Sequence, residues 1–324
     1  MLWGSVCPEG GQATAKPSVP RKRRPCATRS GGSASRIIQH TDPAMCRYLA
    51  YLGPPRLLSE VIHKPPNSLV HQASASTKSL TRINADGFGV GWYAPDVSLE
   101  PAVFKSTSPV WNNYNLGSIA GKIRSPAIVG HVRAAKSYDP VNRENCHPFA
   151  RGRLLWMHNG DIPGRSRLAR QVAKTADDTL MAMIRGNTDS EMAFTVFLTH
   201  LEKPLARSPG VEELAAAMEE TLRGLVAWHL AARETRPLEL NFCVTDGASL
   251  VATRYALSEA SAPSLYWYEG GNAVGESVTV ASEPLYPEDA WRELAEGEML
   301  LVQADLTVKR RALRASVPAA SQPL

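Results

Sequence analysis

Apolar residues fall in short runs separated by turn formers, and the order of the runs sets the architecture. Residues 46–53 form a run that stops at Gly53-Pro54-Pro55 and reads as a buried strand. Leu57 to Ile62 fits a short helix closed before Pro65-Pro66. Asn84-Ala85-Asp86-Gly87 predicts a turn into a strand over Phe88–Tyr93, whose glycines permit close backbone approach. Trp111 to Ile123, after Pro109, predicts a helix. Ala127–Arg133 and Leu154–His158 are apolar runs that end in charge or at Asn159-Gly160, as central strands do when they deliver residues to a site. Asn-Gly is also a compact hairpin signal and as such needs no function.

A helical stretch follows: Arg165–Lys174, Asp177–Arg185, Ser190–Leu201 and Val211–Arg233. In the last, Leu214, Met218, Leu222, Leu225 and Leu230 recur near the helical period. Strands return at Leu238–Thr245, Ser249–Tyr255, Leu265–Tyr268, Ser277–Ser282 and Met299–Gln303. Strands, then helices, then strands is not a βαβ alternation, so a doubly wound parallel sheet is excluded in favour of an α+β fold. Two antiparallel sheets covered by helices fit the order. No internal repeat or linker interrupts 46–310, which reads as one domain between a leader (1–45) and a tail (311–324) expected to be disordered.

Composition changes this picture in one place. The chain has 324 residues and a net charge of +5. Residues 1–45 hold seven Lys/Arg against two acids, which leaves 29 of the 36 basic and 29 of the 31 acidic residues for the body. A neutral body has no excess charge to attract phosphate backbones, so nucleic acid is not an expected partner. No apolar run is long enough for a membrane span, so a soluble chain is expected, cytoplasmic unless the leader directs import into an organelle. The leader is rich in Pro, Gly, Ser and Arg and has no apolar period. It fits an organelle transit peptide, a mis-assigned start upstream of Met45, or a self-cleaved propeptide. The second is favoured, because Met45 immediately precedes Cys46 and its removal would expose the cysteine. Cys46, Cys146 and Cys243 are odd in number and unpaired in spacing, which points to a reducing compartment without a disulfide frame or zinc site.

Cys46 is where chemistry can begin. A terminal cysteine carries a good nucleophile and an α-amine that titrates near pH ~8, so one residue supplies nucleophile and base. The alternative is a buried strand cysteine. Three further pieces stand out: His131-Val132-Arg133, His158-Asn159-Gly160 and Asn187-Thr188-Asp189-Ser190-Glu191. Taken singly they read as a surface charge, a hairpin turn, and a helix cap at Thr188 with Glu191 completing a capping box. Gly87 to Gly91 does not read as a dinucleotide fingerprint, because no helix of the right spacing follows.

Together and in this order, the four pieces resemble the class II glutamine amidotransferases, a branch of the N-terminal nucleophile hydrolases. The resemblance runs over roughly residues 46–300, with supporting matches at Asn84–Gly91, Asn145-Cys146-His147-Pro148-Phe149 and Ser282-Glu283-Pro284-Leu285. It implies a four-layer αββα fold, no cofactor and no metal. It also implies site residues. Cys46 would attack a γ-glutamyl amide, and Asn159 (side-chain amide) with Gly160 (backbone N–H) would hold the oxyanion. Arg133 would bind the substrate α-carboxylate and Asp189 its α-ammonium. Where many relatives have a threonine three residues after the arginine, this chain has Lys136, followed by Ser137. His131 and His147 are expected to be structural, and a Cys146–His147 catalytic pair is excluded because strand neighbours point apart.

Nothing beyond residue 310 could be a synthase domain, so the resemblance implies a γ-glutamyl hydrolase or a subunit working with a separate partner. Two subfamilies are similar. The amidotransferase-type subunit of the fungal glutathione-degrading complex, which has a metallopeptidase-like partner, is echoed in Pro109–Leu116. The ergothioneine-pathway γ-glutamyl-hercynylcysteine sulfoxide hydrolase is echoed in Tyr48–Pro55 and Gly91–Pro95. The first is preferred; a glutaminase subunit feeding ammonia to a partner is a further alternative. Trp111, Tyr114 and Trp156 are leaving-group candidates or core aromatics. If the leader stays attached, Cys46 has no free amine, and the chain would be an inactive scaffold.

Overall fold

The computed structural model describes residues 46–78, 83–136, 139–201, 208–257, 262–270, 276–287 and 290–313, all in one compact unit spanning Asp42–Leu324. The expected leader, Ser137 and most of the expected tail lie outside the described residues.

The first part of the chain runs β1 (Arg47–Leu57), α1 (Leu58–Ile62), α2 (Leu69–Ala75), β2 (Phe88–Ala94) and β3 (Ser98–Ser106). It continues through α3 (Tyr114–Ala120), β4 (Arg124–Val132), β5 (Phe149–Arg151) and β6 (Leu154–Asn159). The helical middle is α4 (Arg165–Thr175), α5 (Asp178–Met181), α6 (Asp189–Thr199) and α7 (Val211–Ala231). Then come β7 (Leu238–Glu239), β8 (Asn241–Thr245), β9 (Leu250–Arg254), β10 (Ala256–Leu257) and β11 (Tyr266–Gly270). The chain closes with β12 (Ser277–Ala281), β13 (Arg292–Glu293), β14 (Glu298–Val302) and β15 (Val308–Ala312).

Two large antiparallel sheets form among the described residues, in the orders β13-β11-β12-β1-β4-β2-β3 and β15-β14-β9-β8-β6-β5, beside a two-stranded pairing of β10 with β7. Three apolar clusters fix the layers. Tyr48, Ala50 and Leu52 point from β1 into the space between the sheets, where they meet Val129, Leu155, Met157, Ala252, Val280 and Leu300. The alternate residues Leu49 and Tyr51 point the other way, under Leu58, Ile62, Leu69 and Leu116 of α1 to α3. Period-two alternation with both faces apolar is why β1 reads as an unbroken run. On the far side of the second sheet, Trp156, Phe242, Val251 and Met299 pack against Phe194, Phe197, Leu214, Met218 and Leu222 of α6 and α7. The layers are therefore αββα.

Several expected elements differ in physically clear ways. The helix expected over Trp111–Ile123 is a 3-10 turn (Val110–Asn112) followed by α3, because the Asn113 side chain accepts from Leu116 N–H at 2.8 Å and starts a new helix there. β1 does not end at Gly53-Pro54 but continues to Leu57 with its register against β4 shifted between Leu52 and Arg56. The helix expected over Asp177–Arg185 stops at Met181, and the backbone N–H groups of Arg185 and Gly186 turn to the Glu191 carboxylate. Asn159-Gly160 is not a hairpin: β6 pairs with β5 and β8, and Gly160 turns the chain out of the sheet. β15 runs past residue 310, the expected domain end, and pairs with β14 through Ala312. β3, β5 and α2 were not legible as periodic runs.

Trp156 is fully buried, with ring centroids 4.6 Å from Phe242, 5.1 Å from Phe197 and 5.5 Å from Phe194. Trp156→Ala removes the centre of the second core and should cost about 3–5 kcal/mol in urea unfolding. A cost under about 1 kcal/mol would show that this cluster does not hold the helices to the sheet.

Candidate active site

Strand ends build the site. Arg47 pairs with Val132 across β1 and β4, so Cys46 and Arg133 leave the same end of the first sheet side by side. Phe88 pairs with Val132 as well, which brings the Asp86-Gly87 turn to that end. There Asp86 N–H donates to Arg133 O at 3.0 Å, Arg133 N–H to Gly87 O at 2.9 Å, and Ala135 N–H to the Asp86 carboxylate at 2.8 Å. The 133–135 segment is thus held by main-chain donors rather than by apolar packing.

Cys46 is half-buried, and its thiol donates to Ala134 O at 3.7 Å. Burial pushes the thiol up. The Ala134 contact and the Arg133 and Arg47 charges work against that, while the Asp189 carboxylate adds to it. Arg133 and Asp189 therefore lie close enough for their charges to act on the nucleophile candidate. Arg133 is 4% exposed. Its two contacts are long: Nη1 to Pro140 O at 3.3 Å and Nη2 to Asp139 Oδ2 at 3.9 Å. Asp139 takes its closer partner, Arg165, from the start of α4. A buried fork so loosely engaged retains capacity for a planar anion.

Asp189 opens α6, capped by Thr188, whose hydroxyl accepts from Glu191 N–H at 3.2 Å. The capping box is only half present, because the Glu191 side chain reaches Arg185 and Gly186 N–H at 2.9 and 2.8 Å instead of Thr188. Asp189 Oδ2 accepts from Ile162 N–H at 2.8 Å and Oδ1 from Ser190 N–H at 2.9 Å. Burial pushes its carboxyl up, yet the neighbouring His158 and Lys136 charges and the Ile162 N–H leave it below the ordinary range. His158 is itself lowered by burial, so at neutral pH Lys136, the Ile162 N–H and Arg165 carry that effect. Lys136 pairs with Asp161, which places the departure from the usual threonine on the Asp189 side of the site. A cavity of about 560 Å³ opens there, lined by Asp161, Ile162, Arg165, Ser166, Asp189 and Arg236 among others.

Asn159 ends β6, paired with Asn241. It is 0% exposed, and among the described residues neither its Nδ2 nor its Oδ1 has a partner. An unsatisfied buried amide costs about 1–3 kcal/mol, so its retention points to a ligand that completes it. Gly160 follows at φ +148°, and a Cβ there would lie 2.2 Å from Glu239 O, so only glycine fits. The loops close through Asn145, whose Nδ2 donates to Asn187 Oδ1 at 2.9 Å while its Oδ1 accepts from Asn187 N–H at 3.0 Å.

His131 donates from Nε2 to His158 O at 3.1 Å and stacks on His147 with centroids 4.1 Å apart. Burial lowers His131 to about 3 and lowers His147 strongly, so both are neutral packing groups. Trp156 is core and cannot touch a leaving group, whereas Trp111 (39% exposed) and Tyr114 (90%) are surface residues rather than core. Sequence reading passed over the roles of Asp86, Asn145 and the Arg47–Glu283 pair. Asp86, Asn145 and Glu283 lay in stretches that supported the family resemblance, but nothing in those stretches said what they hold. Among the described residues no His/Cys/Asp/Glu group could hold a metal, and no helix is long and apolar enough to cross a membrane.

With this geometry in place, comparison with known proteins is specific. Residues 56–260 match the family model "Glutamine amidotransferases class-II". The chain is 34% identical over 294 residues to the Saccharomyces cerevisiae protein named "Probable glutamine amidotransferase DUG3", covering 80% of this chain and 82% of that one. It is 26% identical to the γ-glutamyl-hercynylcysteine sulfoxide hydrolase of Mycolicibacterium smegmatis, covering 80% of this chain and 96% of that one. A solved glutamine aminotransferase class-II domain protein from Silicibacter pomeroyi superposes at TM-score 0.59 with 30% identity, over 83% of this chain and 99% of that one. The glutamine phosphoribosylpyrophosphate amidotransferase of Bacillus subtilis shares the fold at TM-score 0.54 and 15% identity, over 84% of this chain and 50% of that one. The chain belongs to the class II glutamine amidotransferases and is an enzyme acting on amide bonds, with the N-terminal nucleophile hydrolase fold.

The electrostatics of Asp189 can be read directly. A depressed carboxyl stays charged as pH falls through the ordinary aspartate range, and Lys136→Met should raise its midpoint. Carbon-13 NMR titration of Asp189 checks this; an unmoved midpoint would assign the depression to His158, Arg165 and the Ile162 N–H instead of Lys136.

Proposed function

We propose that the protein hydrolyses the γ-glutamyl amide bond of a glutathione-like compound, with Cys46 as its terminal residue and nucleophile. The observation that carries the reading is the Asn159 amide: buried, unpartnered among the described residues, and followed by a glycine that no other residue can replace. Asn159 Nδ2 and the Gly160 N–H are the donors for the tetrahedral oxyanion. The Arg133 fork takes the α-carboxylate and Asp189 the α-ammonium, two opposite charges that select glutamate's amino-acid end. The α-amine of Cys46, through a water, accepts the thiol proton. The thiolate adds to the γ-carbonyl carbon, the C–N bond breaks, and the leaving amine takes the proton. Water then cleaves the γ-glutamyl thioester, releasing glutamate and restoring the thiol.

The glutathione-like leaving group follows the resemblance of Pro109–Leu116 to the subunit of the glutathione-degrading complex, which would bring a metallopeptidase-like partner. The higher identity to the yeast amidotransferase, 34% against 26%, supports likeness to that relative over the sulfoxide hydrolase.

Protein beginning at Cys46, incubated with glutamine, glutathione and γ-glutamyl-hercynylcysteine sulfoxide, should release glutamate fastest from glutathione or a close analogue. Release from none of the three would end the hydrolase reading, and turnover by Cys46→Ala would remove Cys46 from the chemistry. Asn159→Ala should lower kcat about a hundredfold or more with KM little changed. An equal rise in KM with kcat kept would make the amide a ground-state contact instead.

A further inference from the structure

A nucleophile that is also the first residue of a chain has a mechanical problem. Terminal residues fray unless something ties them down. The amine must stay free to act as base and the thiol to attack, so the carbonyl oxygen is the one backbone handle left. In this fold that handle is taken. Arg47 Nη1 donates to Cys46 O at 2.8 Å.

Arg47 is itself immobilised, at 0% exposure. Its Nε donates to Glu283 Oε1 at 2.8 Å and to Ser76 Oγ at 3.1 Å. Glu283, also fully buried, accepts from Ser76 Oγ at 2.5 Å, Thr77 Oγ1 at 2.7 Å, Thr77 N–H at 3.2 Å and Lys78 N–H at 3.1 Å. These donors and the guanidinium hold its carboxyl down at about 2, against the effect of burial. The neighbouring residue is tied in both directions, Tyr48 N–H to Ser282 Oγ at 3.0 Å and Ser282 N–H to Tyr48 O at 2.9 Å. A buried ion pair adds little stability over apolar residues of the same volume, so stability alone does not account for it.

We infer that Arg47 is a positioning residue that clamps the carbonyl of Cys46, and that Glu283 holds the clamp rigid while leaving the cysteine's amine and thiol free. The inference rests on Cys46 being the terminal nucleophile. Arg47 does not touch the substrate. It fixes the peptide plane from which the thiol is aimed, and a misplacement of about 1 Å at a reacting atom can cost about a hundredfold in rate.

The test uses the protein beginning at Cys46 and two variants. Arg47→Lys keeps a cation for Glu283 but loses the forked reach to the Cys46 carbonyl. Arg47→Met combined with Glu283→Met removes both charges and leaves none buried unpaired. Both should melt near the wild-type temperature, keep KM within about twofold and lose kcat by about ten- to a hundredfold. Relaxation of the Cys46 Cα should show a rigid residue in the wild type and a mobile one in both variants, a readout that needs no turnover. Glutamate release from no substrate by a wild type with rigid Cys46 would sink the hydrolase reading and leave the clamp standing. Wild-type kcat in the double variant, or a Cys46 equally rigid in all three proteins, overturns the clamp.

Discussion

The pairing of Arg47 with Val132 is the constraint on which the rest of the site depends. Both strands have apolar faces on either side, so the register is fixed by two cores at once: Tyr48 and Val129 inside the sandwich, Leu49 and Ile128 under the helices. A slip by one residue would exchange every side chain between the two cores, and the large residues of one face do not fit the other. Because the register cannot move, Cys46 and Arg133 emerge together at one sheet end. The partner turn at Asp86-Gly87 is carried there by the same logic through Phe88.

Beyond the strand ends, apolar packing gives way to polar side chains that bind main-chain groups. Asp86 holds Ala135, Asn145 holds Asn187, Glu191 holds Arg185 and Gly186, and Asp189 holds Ile162. Each bond fixes a main-chain donor of a loop that apolar packing alone does not hold. The loops that carry charge to the site are thereby determined by polar contacts as the strands are by apolar ones.

This division explains what the sequence made legible. Strand positions were readable because alternation or continuous apolarity is a local property, and the five site candidates sit at the ends of such runs or beside a helix start. The supporting residues were not readable. Glu283 lies 236 positions from Arg47 and Asn145 lies 42 from Asn187, and nothing local in either residue says which distant partner it will meet. β1 passing through Pro54-Pro55 failed for a related reason: the bulge between Leu52 and Arg56 belongs to its pairing with β4, not to the dipeptide. Trp156 was ambiguous because an aromatic before a functional turn can face either way. On β6, one strand in from the sheet edge, it faces α6 and α7, which decided for the core.

The polar groups around Cys46 fall into two kinds, and the difference bears on how the site works. Glu283 is saturated, its oxygens receiving donors from five of the described residues. Among the described residues the Arg133 guanidinium has only long contacts, and the Asn159 side chain has none. Saturated groups cost little to keep buried and do not reorient, which suits a support. Unsaturated ones carry a desolvation penalty in the empty protein that a ligand of matching charge relieves. Such relief is largest where charge develops during reaction rather than where it is already present. In the proposed reaction, the Asn159 amide would therefore act mainly on the transition state, while the Arg133 fork, facing a carboxylate charged throughout, would mainly hold the substrate. The unpartnered Asn159 amide stands where negative charge would form in that reaction.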